Sequence, residues 1–152
     1  MKWIYAVFGI FLLLALCSIP VAAVDDLTVS EYQIMPWFDS SVSELRSSQS
    51  SSVVQNGVEK FDYYVSSGCK QLDIKVSWDL LPNYNSLTLR LFTPKGFLVG
   101  EYTDTYESSV KNGIIPIAIT SSSPLESGYW RSEVVGTKVS GSQPFNIIIN
   151  SR

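Results

Sequence analysis

The chain has 152 residues, 45% of them hydrophobic and 12% aromatic, with 11 Lys and Arg against 14 Asp and Glu and no histidine. One domain fits this length, and a formal charge of −3 without a basic cluster excludes the Lys/Arg-rich surfaces that bind nucleic acid. The missing histidine excludes Ser-His-Asp and Cys-His catalysis and His-containing zinc sites, and two cysteines are too few for a Cys-rich metal site.

The first residues read as a targeting segment. Met1-Lys2 is a short positive start, an apolar run extends from Trp3 to Ile19, and Val21-Ala22-Ala23 supplies the small residues of a cleavage site. The expected signal helix covers residues 1–23, with the cut after Ala23. The run is also about long enough to span a bilayer, which takes roughly 20 apolar residues. Pro20 and the lack of a basic stop-transfer cluster favour cleavage, so membrane contact is expected only if the segment is retained. Leu16 before Cys17 fits a lipid-attachment site poorly. Cleavage removes Lys2 and Cys17, which takes the net charge to −4 and leaves Cys69 alone in an exported protein. That thiol is either a small buried side chain at a strand start, a reactive group, or half of an intermolecular bridge. Nothing nearby except Lys70 would lower its pKa.

Residues 24–52 are expected to form an N-terminal strand and a serine-rich linker. Leu27 to Ile34 alternates apolar and polar residues, and Met35-Pro36-Trp37-Phe38 is expected to end it. Trp37 and Phe38 either cover one end of a core or form a docking patch. Eight serines fall among the thirteen positions from Ser40 to Ser52, a composition that reads as a flexible connection. It could carry O-linked sugars, whereas no Asn-x-Ser/Thr sequon follows residue 23.

From Val53 onward the pattern tightens into strands. Val58 to Val65 carries Phe61, Tyr63 and Tyr64, and Ser66-Ser67-Gly68 turns it, as a hairpin or as a crossing between sheets. Leu72, Ile74, Val76 and Trp78 alternate with Asp73, Lys75 and Ser77, then Leu87, Leu89 and Leu91 alternate with Thr88 and Arg90. Such period-2 alternation buries one face and wets the other. After the Pro94-Lys95-Gly96 turn, Phe97 to Thr103 returns, and Asp104 to Gly113 is a polar loop. Ile114 to Thr120 contains Pro116, which predicts an edge strand or a bulge. Tyr129 to Val135 places Trp130, Ser132 and Val134 on one face, Gly136 to Pro144 reads as a polar connection, and Phe145 to Asn150 closes the chain. About eight short strands with no sustained helical periodicity predict an all-β, two-sheet antiparallel sandwich of jelly-roll-like form.

The order of these residues also resembles a known family. Gly57-x-x-x-Phe61-x-Tyr63-x-Val65-x-x-Gly68-x-x-x-Leu72-x-Ile74-x-Val76-x-Trp78 comes first. Leu87-x-Leu89-x-Leu91-Phe92-Thr93-Pro94-Lys95-Gly96, Ser127-Gly128-Tyr129-Trp130, Glu133-Val134-x-Gly136 and Gly141-x-x-Pro144-Phe145 follow. Together they resemble the bacterial pre-peptidase C-terminal domain, a β-sandwich akin to the proprotein-convertase P domain, as found in small exported proteins of methanogenic archaea. The resemblance spans residues 53–152. It implies a non-catalytic domain that accompanies secreted proteases or other exported enzymes and assists secretion, localisation or substrate binding. Many members carry Asp-x-Asp-Leu before the Pro-x-Gly turn, sometimes with calcium. Here the matching positions read Asn85-Ser86-Leu87-Thr88-Leu89, without either carboxylate, which argues against calcium there.

Remaining chemistry concentrates in one loop. A Ser-Lys dyad needs a placed pair, and no spacing marks one. Glu101, Asp104 and Glu107 are read as solvated acids, as a weak calcium site at Asp104 and Glu107, or as a carboxylate pair for hydrolysis. Tyr32, Trp37, Tyr84, Tyr102, Tyr106 and Tyr129 are the aromatics that alternation or loop context leaves open to solvent. Tyr102 and Tyr106 with Glu101, Asp104 and Glu107 could form a binding rim, with Tyr84 as a further contact, or simply cap strand ends. The expected role is an exported binding or adhesion module, secreted or at the cell surface. Its partner would be an envelope protein, a polysaccharide or an exported enzyme. An accessory or inhibitor of a secreted protease is the alternative, and a carboxylate-dependent hydrolase a third.

Overall fold

The structure is a computed structural model, and it describes residues 32–37, 47–106 and 110–152. The expected signal segment, the residues from Leu27 to Glu31, Phe38 and the stretch 38–46, and Glu107 lie outside the described residues.

Among the described residues nine strands form: β1 (Gln33–Pro36), β2 (Ser47–Val54), β3 (Val58–Val65), β4 (Gln71–Ser77), β5 (Ser86–Phe92), β6 (Leu98–Thr103), β7 (Ile114–Thr120), β8 (Gly128–Lys138) and β9 (Ser142–Ser151). They make two antiparallel sheets, ordered β1-β7-β4-β9-β2 and β3-β8-β5-β6. The expected all-β sandwich is present. Its core is the alternation made physical. Leu72, Ile74 and Val76 from β4 and Ile147 and Phe145 from β9 face Leu87, Leu89 and Leu91 from β5 and Trp130 and Val134 from β8. Ser132 shares that inner face, fully buried, as the sequence pattern requires. The indole N–H of Trp130 donates to the Glu126 carbonyl at 2.8 Å, so the largest buried side chain leaves no orphan donor.

The serine stretch departs from expectation. Residues 47–52 are not linker but most of β2, which pairs with β9 from Ser47↔Ile149 to Val54↔Ser142. An edge strand needs backbone partners more than buried side chains, and Val53, 2% exposed, is its one buried anchor. A domain start at residue 53 therefore falls inside a strand. At the other end, the expected polar connection from Gly136 to Pro144 shrinks to residues 139–141, because β8 runs to Lys138 and β9 begins at Ser142. Hydrogen bonds order this polar segment: Val139 N–H donates to Gln55 Oε1 at 2.7 Å, and Ser140 N–H to Asn85 Oδ1 at 2.9 Å.

Two of the three strand prolines, Pro36 and Pro116, are tolerated for a readable reason. β7 is flanked by β1 and β4, so Pro116 sits in an interior strand and not at an edge. Its carbonyl accepts from Trp37 N–H at 3.2 Å, and in an antiparallel ladder a residue's N–H points to the same side as its C=O. The donor that Pro116 lacks would meet only the end of four-residue β1. Pro36, one residue earlier than Trp37, points its missing donor off the open edge. The strand thus runs through Met35 to Pro36 instead of stopping before it. Trp37 is 7% exposed, lying over the outer face of its sheet with Lys75 Nζ 5.7 Å from the ring centroid.

Chain order and sheet order diverge. Apart from the β5–β6 hairpin and the step from β1 to β2, every connection carries the chain from one sheet to the other. Ser66-Ser67-Gly68 is accordingly a crossing and not a hairpin. The β4–β5 crossing is clamped by Asn85, 2% exposed, whose amide donates to Gln143 Oε1 at 2.7 Å. Its backbone carbonyl accepts the Trp78 indole N–H at 3.1 Å. Asn85 is thus a buried structural amide that ties the crossing to β9 and to Trp78.

Candidate functional site

Period-2 geometry separates the residues of the expected rim. Tyr102 lies on the inner face of β6 and is 7% exposed, so it is a core residue. Its neighbour Glu101 points to the outer face, opposite Arg90 on β5, and is exposed. Tyr106 meets Tyr102 edge-on at 5.2 Å, and its hydroxyl donates to the Ile34 carbonyl at 3.2 Å. That pair joins the 104–106 turn to β1. Burial, with a smaller contribution from the Tyr106 phenol, pushes the Tyr102 hydroxyl up to about 12. Asp104 is 1% exposed, and Tyr84, 61% exposed, stands in the 78–85 crossing. Among the described residues no three acidic, cysteine or histidine side chains come together as a metal site. Tyr32 is half-buried, edge-on to Trp130 at 5.7 Å.

Three exposed aromatics, Tyr64, Tyr129 and Phe97, gather at the other end of the same sheet. β5 ends at Phe92, β6 begins at Leu98, β8 begins at Gly128 and β3 ends at Val65, so these termini share one rim. Tyr64 and Tyr129 are register partners there, 60% and 68% exposed, with ring centroids 5.4 Å apart in an edge-to-face arrangement. Phe97, 48% exposed, and Leu98, 44% exposed, stand in the neighbouring turn and strand start. Gly96, at φ 82°, lets that turn close: its N–H donates to the Thr93 carbonyl at 2.8 Å. Seating is tight on the β8 side too, since a Cβ on Gly128 would lie 3.0 Å from Pro94 Cβ.

A charged ladder leads up to the aromatics. Next to the tyrosine pair, Arg131 Nε donates to Asp62 Oδ1 at 2.7 Å and its Nη2 to Oδ2 at 3.3 Å. This two-point hydrogen bond, with the positive charges of Arg131 and Lys60, holds the Asp62 carboxyl below its usual range. One step further, Glu133 lies between Arg90 at 2.8 Å and Lys60 at 3.6 Å. Tyr129, Arg131, Asp62, Phe92 and the Thr93–Gly96 turn enclose a groove of about 540 Å³. Its walls combine an aromatic face with a paired cation and anion, both half open to water.

Sequence reasoning named Tyr129 as an open aromatic but left Tyr64 unassigned. The signal was there in part: Tyr63 and Tyr64 are adjacent on a strand, so one must face outward. The inner one is Tyr63, whose hydroxyl lies 3.2 Å from Ser132 Oγ, and burial raises its ionisation well above the usual tyrosine range. Cys69 follows the plainer expectation. It is 6% exposed, and its thiol donates to the carbonyls of Gln71 and Arg152 at 3.1 and 3.2 Å.

Comparison with known proteins adds little to this geometry. No family model matches the chain, and no curated protein matches it. Among solved structures, the CspB protease of Clostridium perfringens is similar, with a TM-score of 0.48 and 16% identity over 66% of this chain and 24% of that one. This chain therefore spans about a quarter of that protein's length. The sandwich assignment stands on the strand pairing of the chain itself.

Proposed function

We propose that the protein is an exported, non-catalytic binding module of the pre-peptidase C-terminal type, and that it holds polysaccharide on the Tyr64–Tyr129 end of its four-stranded sheet. The observation that carries this reading is two aromatic rings, both more than half exposed, beside a solvent-accessible Asp62–Arg131 pair. Pyranose rings present C–H faces that pack on aromatic side chains and hydroxyls that both donate and accept. Asp62 supplies acceptor sites and Arg131 donors, in the same groove as Tyr129. Buried aromatics need no such neighbours, whereas an exposed pair leaves apolar area in water that a ligand can cover. The module would work at the cell surface or outside the cell, where the apolar leader expected at residues 1–23 would send it.

The test is co-sedimentation of the full chain with insoluble chitin, cellulose and cell-wall polysaccharide, wild type against Tyr64→Ala/Tyr129→Ala. Saturable pelleting that the double variant loses is expected, with no change on adding a calcium chelator. Pelleting with none of the polysaccharides, or equal pelleting of the variant, would sink the reading.

A further inference from the structure

Among the described residues the two sheets have four edge strands, and three of them are visibly blunted. β1 has four residues and contains Pro36. β3 carries Glu59, Lys60 and Asp62. β6 contains Gly100 and Glu101, and its pairing with β5 shifts register at Leu91/Phe92. Charges, prolines, bulges and shortness are the devices by which sheets avoid pairing edge to edge. β2 has none of them. Ser47–Val54 is eight residues long, contains no proline and no charged side chain, and pairs with β9 in unbroken register. Six of its eight side chains are exposed, and among the described residues no strand lies beyond it.

We propose that this edge pairs with the β2 edge of a second copy of the chain, antiparallel about a two-fold axis, joining two five-stranded sheets into one ten-stranded sheet. An isologous contact of this kind sets a strand against itself, so it requires side chains that tolerate their own kind. Like charges directly opposite each other destabilise such a pair, and β2 brings only Ser, Gln and Val. Facing residues in a continuous sheet must share a face, so the axis passes beside a residue and not between two. Centred on Ser50, it sets Ser48 against Ser52, Gln49 against Ser51 and Ser47 against Val53 of the partner copy. Small hydroxyl side chains meet along the outer face, where Ser–Ser hydrogen bonds can form. Seven residues of antiparallel ladder, 47–53, supply about six to eight backbone hydrogen bonds across the contact. The dimer would present its two tyrosine grooves together, so a polymer could be held at two points.

Sedimentation velocity of the full chain in dilute nonionic detergent, from micromolar concentration upward, reads the state directly. The wild type is expected to sediment as a dimer at high concentration. Ser50→Lys/Ser52→Lys and Ser50→Asp/Ser52→Asp, both at exposed positions, are each expected to sediment as monomers with an unchanged far-UV circular dichroism spectrum. Because the two charge sets are complementary, an equal mixture of the variants is expected to recover the dimer. Tyr64→Ala/Tyr129→Ala keeps the dimer, which separates this contact from the binding groove. A wild type that stays monomeric at every concentration overturns the proposal, as does association undiminished in the lysine variant or a mixture that fails to re-associate.

Discussion

The Tyr102 ring lies where a side chain at Gly100 would have to be. The two residues share the inner face of β6, and a Cβ built on Gly100 comes within 2.8 Å of Tyr102 Cζ and nearer still to its hydroxyl. No real Cβ tolerates that approach, so the glycine is required by packing and not by backbone conformation. Gly100→Ala should destabilise the protein by about 1–3 kcal/mol, the usual cost of overpacking. Thermal melting of Gly100→Ala in a Tyr102→Phe background checks the cause. Removing the hydroxyl takes away the nearest atom, so the alanine should cost less there. Equal costs in both backgrounds would mean the strain lies elsewhere.

Tyr102 also predicts an alkaline limit. Its folded ionisation lies near 12, against an ordinary value of 10.0, and Tyr63 is raised further by burial. Above pH 10 the unfolded chain releases these protons while the folded chain keeps them. Stability is therefore full below pH 10 and falls as pH rises through the folded values. For Tyr102 the loss is on the order of 1–2 kcal/mol by pH 12, after allowance for solvent screening. Denaturant melts from pH 8 to 12 should show this decline, and Tyr102→Phe should flatten part of it. A parallel decline in the variant would remove Tyr102 as the source.

Glu133 is the centre of the outer-face ladder, 8% exposed and bridged to both Arg90 and Lys60. Its removal leaves Arg90 without its carboxylate, whereas losing exposed Lys60 leaves the closer bridge intact. Glu133→Ala should cost about 1–3 kcal/mol, and Lys60→Ala no more than about 1 kcal/mol. Chemical denaturation of the two single variants and the double variant measures both. Equal effects would show that the bridges act as a solvated surface network only.

Cys69 should be unreactive while the protein is folded, because its thiol is buried and donates to two backbone carbonyls. Treatment with an alkylating reagent, followed by mass mapping of the Cys69 peptide, should show labelling only after denaturation. Rapid labelling of the native chain, or a disulfide between copies at Cys69, would contradict the buried geometry.

What the sequence determines is the phase of the strongly alternating strands and the chemistry that is barred. The alternations through Leu72–Trp78, Leu87–Leu91 and Trp130–Val134 assign the inner faces correctly because apolar burial is a property each strand carries in its own residues. The absence of histidine removes whole reaction classes by the same local logic. Asp73, expected on the wet face, is instead fully buried in the outer layer of an interior strand. Where alternation is faint, the reading fails: β2 has serine on both faces, and only the ladder to β9 makes it a strand. Tyr102 was misplaced because a loop-rich context hid the phase of β6, which its pairing with β5 sets. The pairing of Tyr64 with Tyr129 beside the groove lies beyond the sequence, although Tyr129 by itself reads as an open aromatic. Tyr64 and Tyr129 are distant in sequence and meet only because β3 and β8 are neighbours, a choice made by how the chain crosses between sheets. Periodicity says which way a side chain points; only the tertiary structure decides what stands next to it.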